Sequence, residues 1–72
     1  MKKTQDVIDK EVLEEVFTTK GLIEKDELQK KVCNGNSTNE KYFRKIYSVL
    51  LEIGIIDIND KLNEDYRNIL KF

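Results

Sequence analysis

Three cationic side chains, Lys41, Arg44 and Lys45, occur within five consecutive residues, and Ser48 follows three residues later. Steps of three and four residues bring side chains to one face of an α-helix. An arginine guanidinium is a planar fork of hydrogen-bond donors, whereas a lysine ammonium is a compact point charge. The chemistry that this stretch offers is therefore the recognition of a charged partner. For these side chains to share one face, the stretch itself must be a helix, and the rest of the chain must hold that helix in place.

Catalytic chemistry has few candidate residues in this chain. Histidine, the commonest general base and metal ligand, is absent. Ser37 and Ser48 consequently have no imidazole to activate them, and the chain contains no glycine-rich phosphate loop. A lone cysteine, Cys33, excludes an internal disulfide and a cysteine-rich zinc site. We therefore expect a protein that is not an enzyme and that uses no cofactor or metal.

The overall composition predicts one small domain over residues 1–72. A chain of 72 residues buries only about 60% of its unfolded surface on folding, so its core is small. The net charge is −1, and residues 37–53, with three Lys/Arg against two Asp/Glu, form the only segment with a positive balance. With its single cysteine and no apolar run of membrane-spanning length, the chain reads as a soluble cytoplasmic protein without a membrane partner.

Two helices are predicted before the cationic stretch. Apolar residues between Asp6 and Thr18 recur at helical spacing, which predicts a first helix over about 6–18 with acids mostly on its other faces. Thr4 or Asp6 would be its N-cap, and Gly21 would stop it. A second helix is predicted over about 25–33, followed by an Asn-Gly-Asn turn at 34–36.

The third helix, over about 38–53, would carry the cations. Ser37 and Glu40 have the spacing of a capping box, and Gly54 would end the helix. Its buried stripe lies roughly 200° around the helix from Lys41, Arg44 and Lys45, so the cations face away from the core. An ordinary solvated exterior is the alternative interpretation of this face. The predicted core of the whole domain is Leu13, Val16, Phe17, Leu28, Phe43, Ile46, Tyr47, Leu50 and Ile56.

The spacing of apolar residues from Phe43 to Ile56 resembles the recognition helix and wing entry of winged helix-turn-helix domains. Written out, it is Phe43-x-x-Ile46-Tyr47-x-x-Leu50-x-x-x-Gly54-Ile55-Ile56. The upstream stretch GLIEKDELQKKV is similar to the short strand and second helix of the same family. The resemblance covers roughly residues 6–58. It implies an α+β fold, a winged helix-turn-helix with three helices and a small two- or three-stranded β-wing over about 55–72.

The last ten residues allow two interpretations. A strand would place Tyr66, Asn68, Leu70 and Phe72 on one face, whereas a helix would align Leu62, Tyr66, Ile69 and Leu70 and could be capped by Asn63. The local pattern by itself favours the helix over about 63–71. The resemblance favours the strand that would close the wing, and the strand is the prediction adopted.

The resemblance also implies a function, that of a small DNA-binding transcriptional regulator of phage, plasmid or viral type. Its third helix would lie in the major groove of double-stranded DNA, and a homodimer would bind a palindromic site. Arg44 would contact a guanine edge, while Lys41 and Lys45 would neutralise phosphates. The alternative is a winged-helix protein-protein interaction module or assembly subunit that uses the acidic first helix. The residues that the resemblance places on DNA are Asn39, Lys41, Tyr42, Arg44, Lys45, Ser48 and Lys61.

Overall fold

Four helices make up most of the part of the chain that the structure describes. A computed structural model describes the backbone of residues 2–69 and the side chains of residues 2–66. The helices are α1 (Gln5–Thr18), α2 (Lys25–Cys33), α3 (Ser37–Glu52) and the short α4 (Glu64–Ile69). The first three lie within one residue of the bounds that the sequence pattern predicts, and they pack on one another around a single core.

Helix α1 begins at a capped end and buries one stripe. The Thr4 hydroxyl accepts a hydrogen bond from the Val7 amide at 3.3 Å, so Thr4 is the N-cap. Ile8, Val12 and Val16 follow at steps of four residues, and each is fully buried. This spacing places all three on the face that packs against α3 and α2.

A tight turn joins α2 to α3. Asn34 and Gly35 both have positive φ, at 53° and 76°, as the Asn-Gly-Asn sequence predicts. The N-cap of α3 is Asn36, whose side-chain oxygen accepts from the Asn39 amide at 3.0 Å. The predicted capping box is therefore wrong, because Ser37 is already the first helical residue.

The core forms between the three long helices. Six of the nine predicted core residues are buried, and the other three are half-buried around them. The buried six are Val16, Leu28, Phe43, Tyr47, Leu50 and Ile56; the half-buried three are Leu13, Phe17 and Ile46. The core also contains Ile8, Val12, Ile23, Val32, Cys33, Ile55 and Leu62. Phe43 and Tyr47 stack near its centre with ring centroids 5.6 Å apart.

The predicted β-wing is wrong. Within residues 2–69 the structure has no β-sheet, only two isolated antiparallel bridges, Leu22 with Lys61 and Ile56 with Leu62. The chain then enters α4, where the adopted prediction required a returning strand. Asn63 starts this helix, since its side-chain oxygen accepts from the Asp65 amide at 3.0 Å. The fold is thus mainly helical, not α+β, and residues 70–72 of the predicted wing lie outside the described range.

A hydrogen-bonded loop at 57–61 prevents longer strand pairing. One carboxylate oxygen of Asp57 accepts from the amides of Asn59 and Lys61, at 2.8 and 3.1 Å, which folds the chain back at once. The Asp60 carboxylate accepts from the Tyr47 hydroxyl at 3.0 Å, and the Asp60 carbonyl accepts from the Ile23 amide at 2.6 Å. These contacts fasten the loop to α3 and to the segment between α1 and α2.

Truncating Phe43 tests the face assignment of α3. Phe43 is fully buried, and Phe43→Ala should lower the free energy of unfolding by about 3–5 kcal/mol, through lost apolar burial and the cavity left behind. The matched control is Leu51→Ala, since Leu51 lies on the same helix and is 39% exposed. It should cost no more than about 1 kcal/mol. Urea denaturation measures both, and equal midpoints for the two variants would contradict the assignment.

The bond between Tyr47 and Asp60 predicts a loss of stability at high pH. Burial raises the pKa of the Tyr47 phenol above its usual 10.0, and Asp60 raises it further. Above about pH 10 the unfolded chain releases this proton while the folded chain keeps it, so Tyr47 should lower stability by about 1.4 kcal/mol per pH unit. Tyr47→Phe should be less stable than the natural protein at pH 7 and lose less stability between pH 10 and 11. Denaturation of both proteins at the three pH values measures these free energies. Equal losses of stability between pH 10 and 11 in the two proteins would contradict the prediction.

Candidate functional site

The outer face of α3 carries the three cations that the sequence singles out. Lys41, Arg44, Lys45 and Ser48 are all exposed, and their backbone positions belong to one uninterrupted helix. The acids of this helix, Glu40 and Glu52, lie before and after the cations. The structure therefore collects four of the seven predicted site residues on one continuous surface, which we call the cationic face.

The three cations have no ionic partner among the side chains of residues 2–66. The exterior of α1 differs, because Glu11 pairs with Lys3 at 2.9 Å and Glu15 pairs with Lys31 at 2.6 Å. Two acids of α1 are thus paired within the chain. The cationic face keeps its charge available for an external anion.

Asn39 does not belong to the cationic face. Its side chain is fully buried, its amide oxygen accepts from the Lys3 backbone N–H at 2.7 Å, and its amide nitrogen donates to the Cys33 carbonyl at 3.2 Å. These bonds join the N-terminal segment, the end of α2 and the start of α3. Asn39 is therefore placed to hold the helices together and is out of reach of an external ligand.

Tyr42 and Lys61 are not part of the cationic face either. Tyr42 is half-buried against the core, and its carbonyl accepts from the Gln5 side chain at 3.2 Å. Lys61 is exposed, but it belongs to the 57–61 loop and not to α3. The DNA contacts of both residues were implied by the winged-helix resemblance, and the described part of the fold has no wing.

Lys25 contacts the core side of α3, away from the cationic face, in a way that the sequence did not indicate. Its ammonium lies 5.0 Å from the centroid of the Tyr47 ring, the range in which a cation is attracted to the face of an aromatic ring. No sequence spacing links the first residue of α2 to the middle of α3. Only the packing of the two helices reveals the contact.

The remaining chemical groups do not form a reactive site. Burial raises the pKa of the Cys33 thiol, and the Glu40 carboxylate raises it further, so the nucleophilic thiolate is disfavoured. Over the described part of the chain, no three metal-ligating side chains come together. Nor does any helix there have the length and apolar character to span a bilayer.

Comparisons of the chain with protein-family models, with curated proteins and with solved structures find no match.

Replacing Asn39 tests its structural role in the buried network. Asn39→Ala leaves the Lys3 amide and the Cys33 carbonyl without this partner, and loss of a buried hydrogen-bonding group costs about 1–3 kcal/mol. We expect a lower unfolding midpoint in urea, with Asn59→Ala, at an exposed loop position, as the control. A variant as stable as the natural protein would show that the buried network contributes nothing.

Proposed function

We propose that this protein is a small DNA-binding transcriptional regulator that inserts the cationic face of α3 into the major groove. The observation that supports this most is the row of three exposed cations on the outside of α3, none of which is paired with a side chain of residues 2–66. The major groove is about 12 Å wide and admits an α-helix. A helix of 16 residues is about 24 Å long, enough to span the groove with residues to spare.

The residues of the cationic face suit different contacts. Arg44 offers two parallel donors to the O6 and N7 atoms of a guanine, a pairing that distinguishes it from other bases. Lys41 and Lys45 lie on either side along the helix and would neutralise phosphates, which gives affinity without sequence preference. The Ser48 hydroxyl can donate to either a base edge or a phosphate. Asn39 and Tyr42 have no part in this proposal, because the fold directs them inward.

A homodimer completes the proposal. Three cations on one helix neutralise few phosphates, so a single copy would bind DNA weakly at physiological salt. Two copies related by a two-fold axis would double the contacts and match a palindromic site.

The competing proposal, a protein-interaction module that uses the acids of α1, has less support. Two of the three glutamates that it depends on, Glu11 and Glu15, already pair with Lys3 and Lys31 in the same chain. A basic partner would have to displace both lysines. Glu14 remains exposed but is a single charge.

Titration of random duplex DNA at increasing salt tests the proposal. If each protomer neutralises about two or three phosphates, log K should fall against log salt with a slope of about −2 to −3 per protomer. Replacing Lys41, Arg44 and Lys45 together with alanine should abolish most of this binding. Fluorescence anisotropy with a labelled duplex, from about 50 mM salt upward, measures both quantities.

The control must remove the same charge elsewhere. Lys2, Lys10 and Lys20 are exposed and lie outside α3, so their joint replacement with alanine changes the net charge by the same amount. The slope of log K against log salt should then change little. Equal losses in the two triple variants would mean that only net charge matters, and absence of binding at about 50 mM salt would reject the proposal.

A further inference from the structure

A groove opens between the C-terminal end of α1 and the helix α2, on a part of the surface that contains no residue of α3. Its volume is about 300 Å³. The apolar part of its lining is Leu22, Ile23 and Leu28, of which Leu22 is 53% exposed and the other two are buried. The groove therefore has an apolar floor with one side chain open to contact.

The rim of this groove is acidic. Glu24 and Glu27 are exposed, and neither forms an ion pair with a side chain of residues 2–66. The third rim glutamate, Glu15, is held by Lys31 at 2.6 Å. Two carboxylates thus remain available beside the apolar floor.

We propose that this groove docks a segment of a partner protein in which an aliphatic side chain is flanked by lysines or arginines. The aliphatic group would cover Leu22, and the flanking cations would pair with Glu24 and Glu27. Charge complementarity of this kind gives specificity and fast encounter. The inference goes beyond DNA binding, since it assigns a second partner to a separate surface.

Other occupants match the groove less well. Phosphates of a nucleic acid would meet two available carboxylates, while the one lysine among the described lining residues, Lys31, is already bound to Glu15. A volume of about 300 Å³ is at the lower limit for small-molecule sites, which suits one or two side chains better than a cofactor. A second copy would present Lys45 with Val49, which is 41% exposed, but Glu52 stands on the other side of Val49 and would be repelled by Glu24 and Glu27.

The test is an NMR titration of the ¹⁵N-labelled 72-residue chain with a synthetic peptide that has a central leucine between two pairs of arginines. We expect amide shifts centred on residues 22–28. Glu24→Gln combined with Glu27→Gln should weaken binding by about tenfold through lost charge pairing. Leu22→Ala should weaken it by about three- to tenfold through lost apolar contact. A peptide with glycine in place of the leucine should lose affinity to the same degree as Leu22→Ala.

Matched variants make the result specific. Asp6→Asn combined with Glu14→Gln removes two exposed acids outside the groove, and Ile58→Ala truncates an aliphatic side chain that is 95% exposed on another loop. Both should bind the peptide like the natural protein. All these positions are exposed, and the dispersion of the amide spectrum reports whether each variant is folded.

Four outcomes would overturn the proposal. The first is the absence of amide shifts at peptide concentrations on the order of 1 mM, and the second is a spread of shifts over every acidic surface. The third is equal weakening of peptide binding by the two acid-removing double variants. The fourth is a set of groove shifts that depends on protein concentration in the absence of peptide. The last would identify a second copy as the occupant. None of these results bears on DNA binding, which is measured separately.

Discussion

The buried side chain of Asn39 sets the relation between the helices on which the cationic face depends. Its amide bonds the backbone of Lys3 on one side and the carbonyl of Cys33 on the other, while its own N–H is bound by Asn36. The ammonium of Lys3 adds a bond to the Val32 carbonyl at 2.8 Å, at the negative end of α2. A buried amide without partners is costly, so these bonds favour one arrangement of α1, α2 and the start of α3. That arrangement fixes which side of α3 is turned outward.

Much of this structure can be read from hydrophobic spacing. Helix α3 shows why, since the interval from Phe43 to Leu50 defines a buried stripe and thereby leaves Lys41, Arg44 and Lys45 outside. The spacing does not reveal a polar residue that is buried by long-range bonds. Asn39 has the sequence position of a surface residue, and its partners Lys3 and Cys33 are 36 and 6 residues away. Resemblance then assigned it to an interface that it cannot reach.

The error at the C-terminal end has a different cause. Local pattern favoured a helix capped by Asn63, and the structure contains that helix and that cap. The resemblance overrode this pattern in favour of a strand. A strand pair needs several consecutive partners, but the side chain of Asp57 captures two amides and reverses the chain within five residues. Tyr66 then binds the Ile53 carbonyl at 3.1 Å, which attaches α4 to the end of α3. Specific side-chain hydrogen bonds therefore determine the structure of this segment, and the family pattern does not.

The acidic balance of the chain does not by itself oppose contact with an anion, because charge acts locally. Two glutamates of α1 are neutralised by Lys3 and Lys31, and the acids that remain available at the groove, Glu24 and Glu27, lie on α2 or just before it. At physiological salt, charges more than about 8 Å apart are largely screened at the surface. An anion at the outer side of α3 therefore responds mainly to the charges of this helix, which are three cations against Glu40 and Glu52. A molecule with a net charge of −1 can in this way keep one surface for an anionic partner and another for a cationic one.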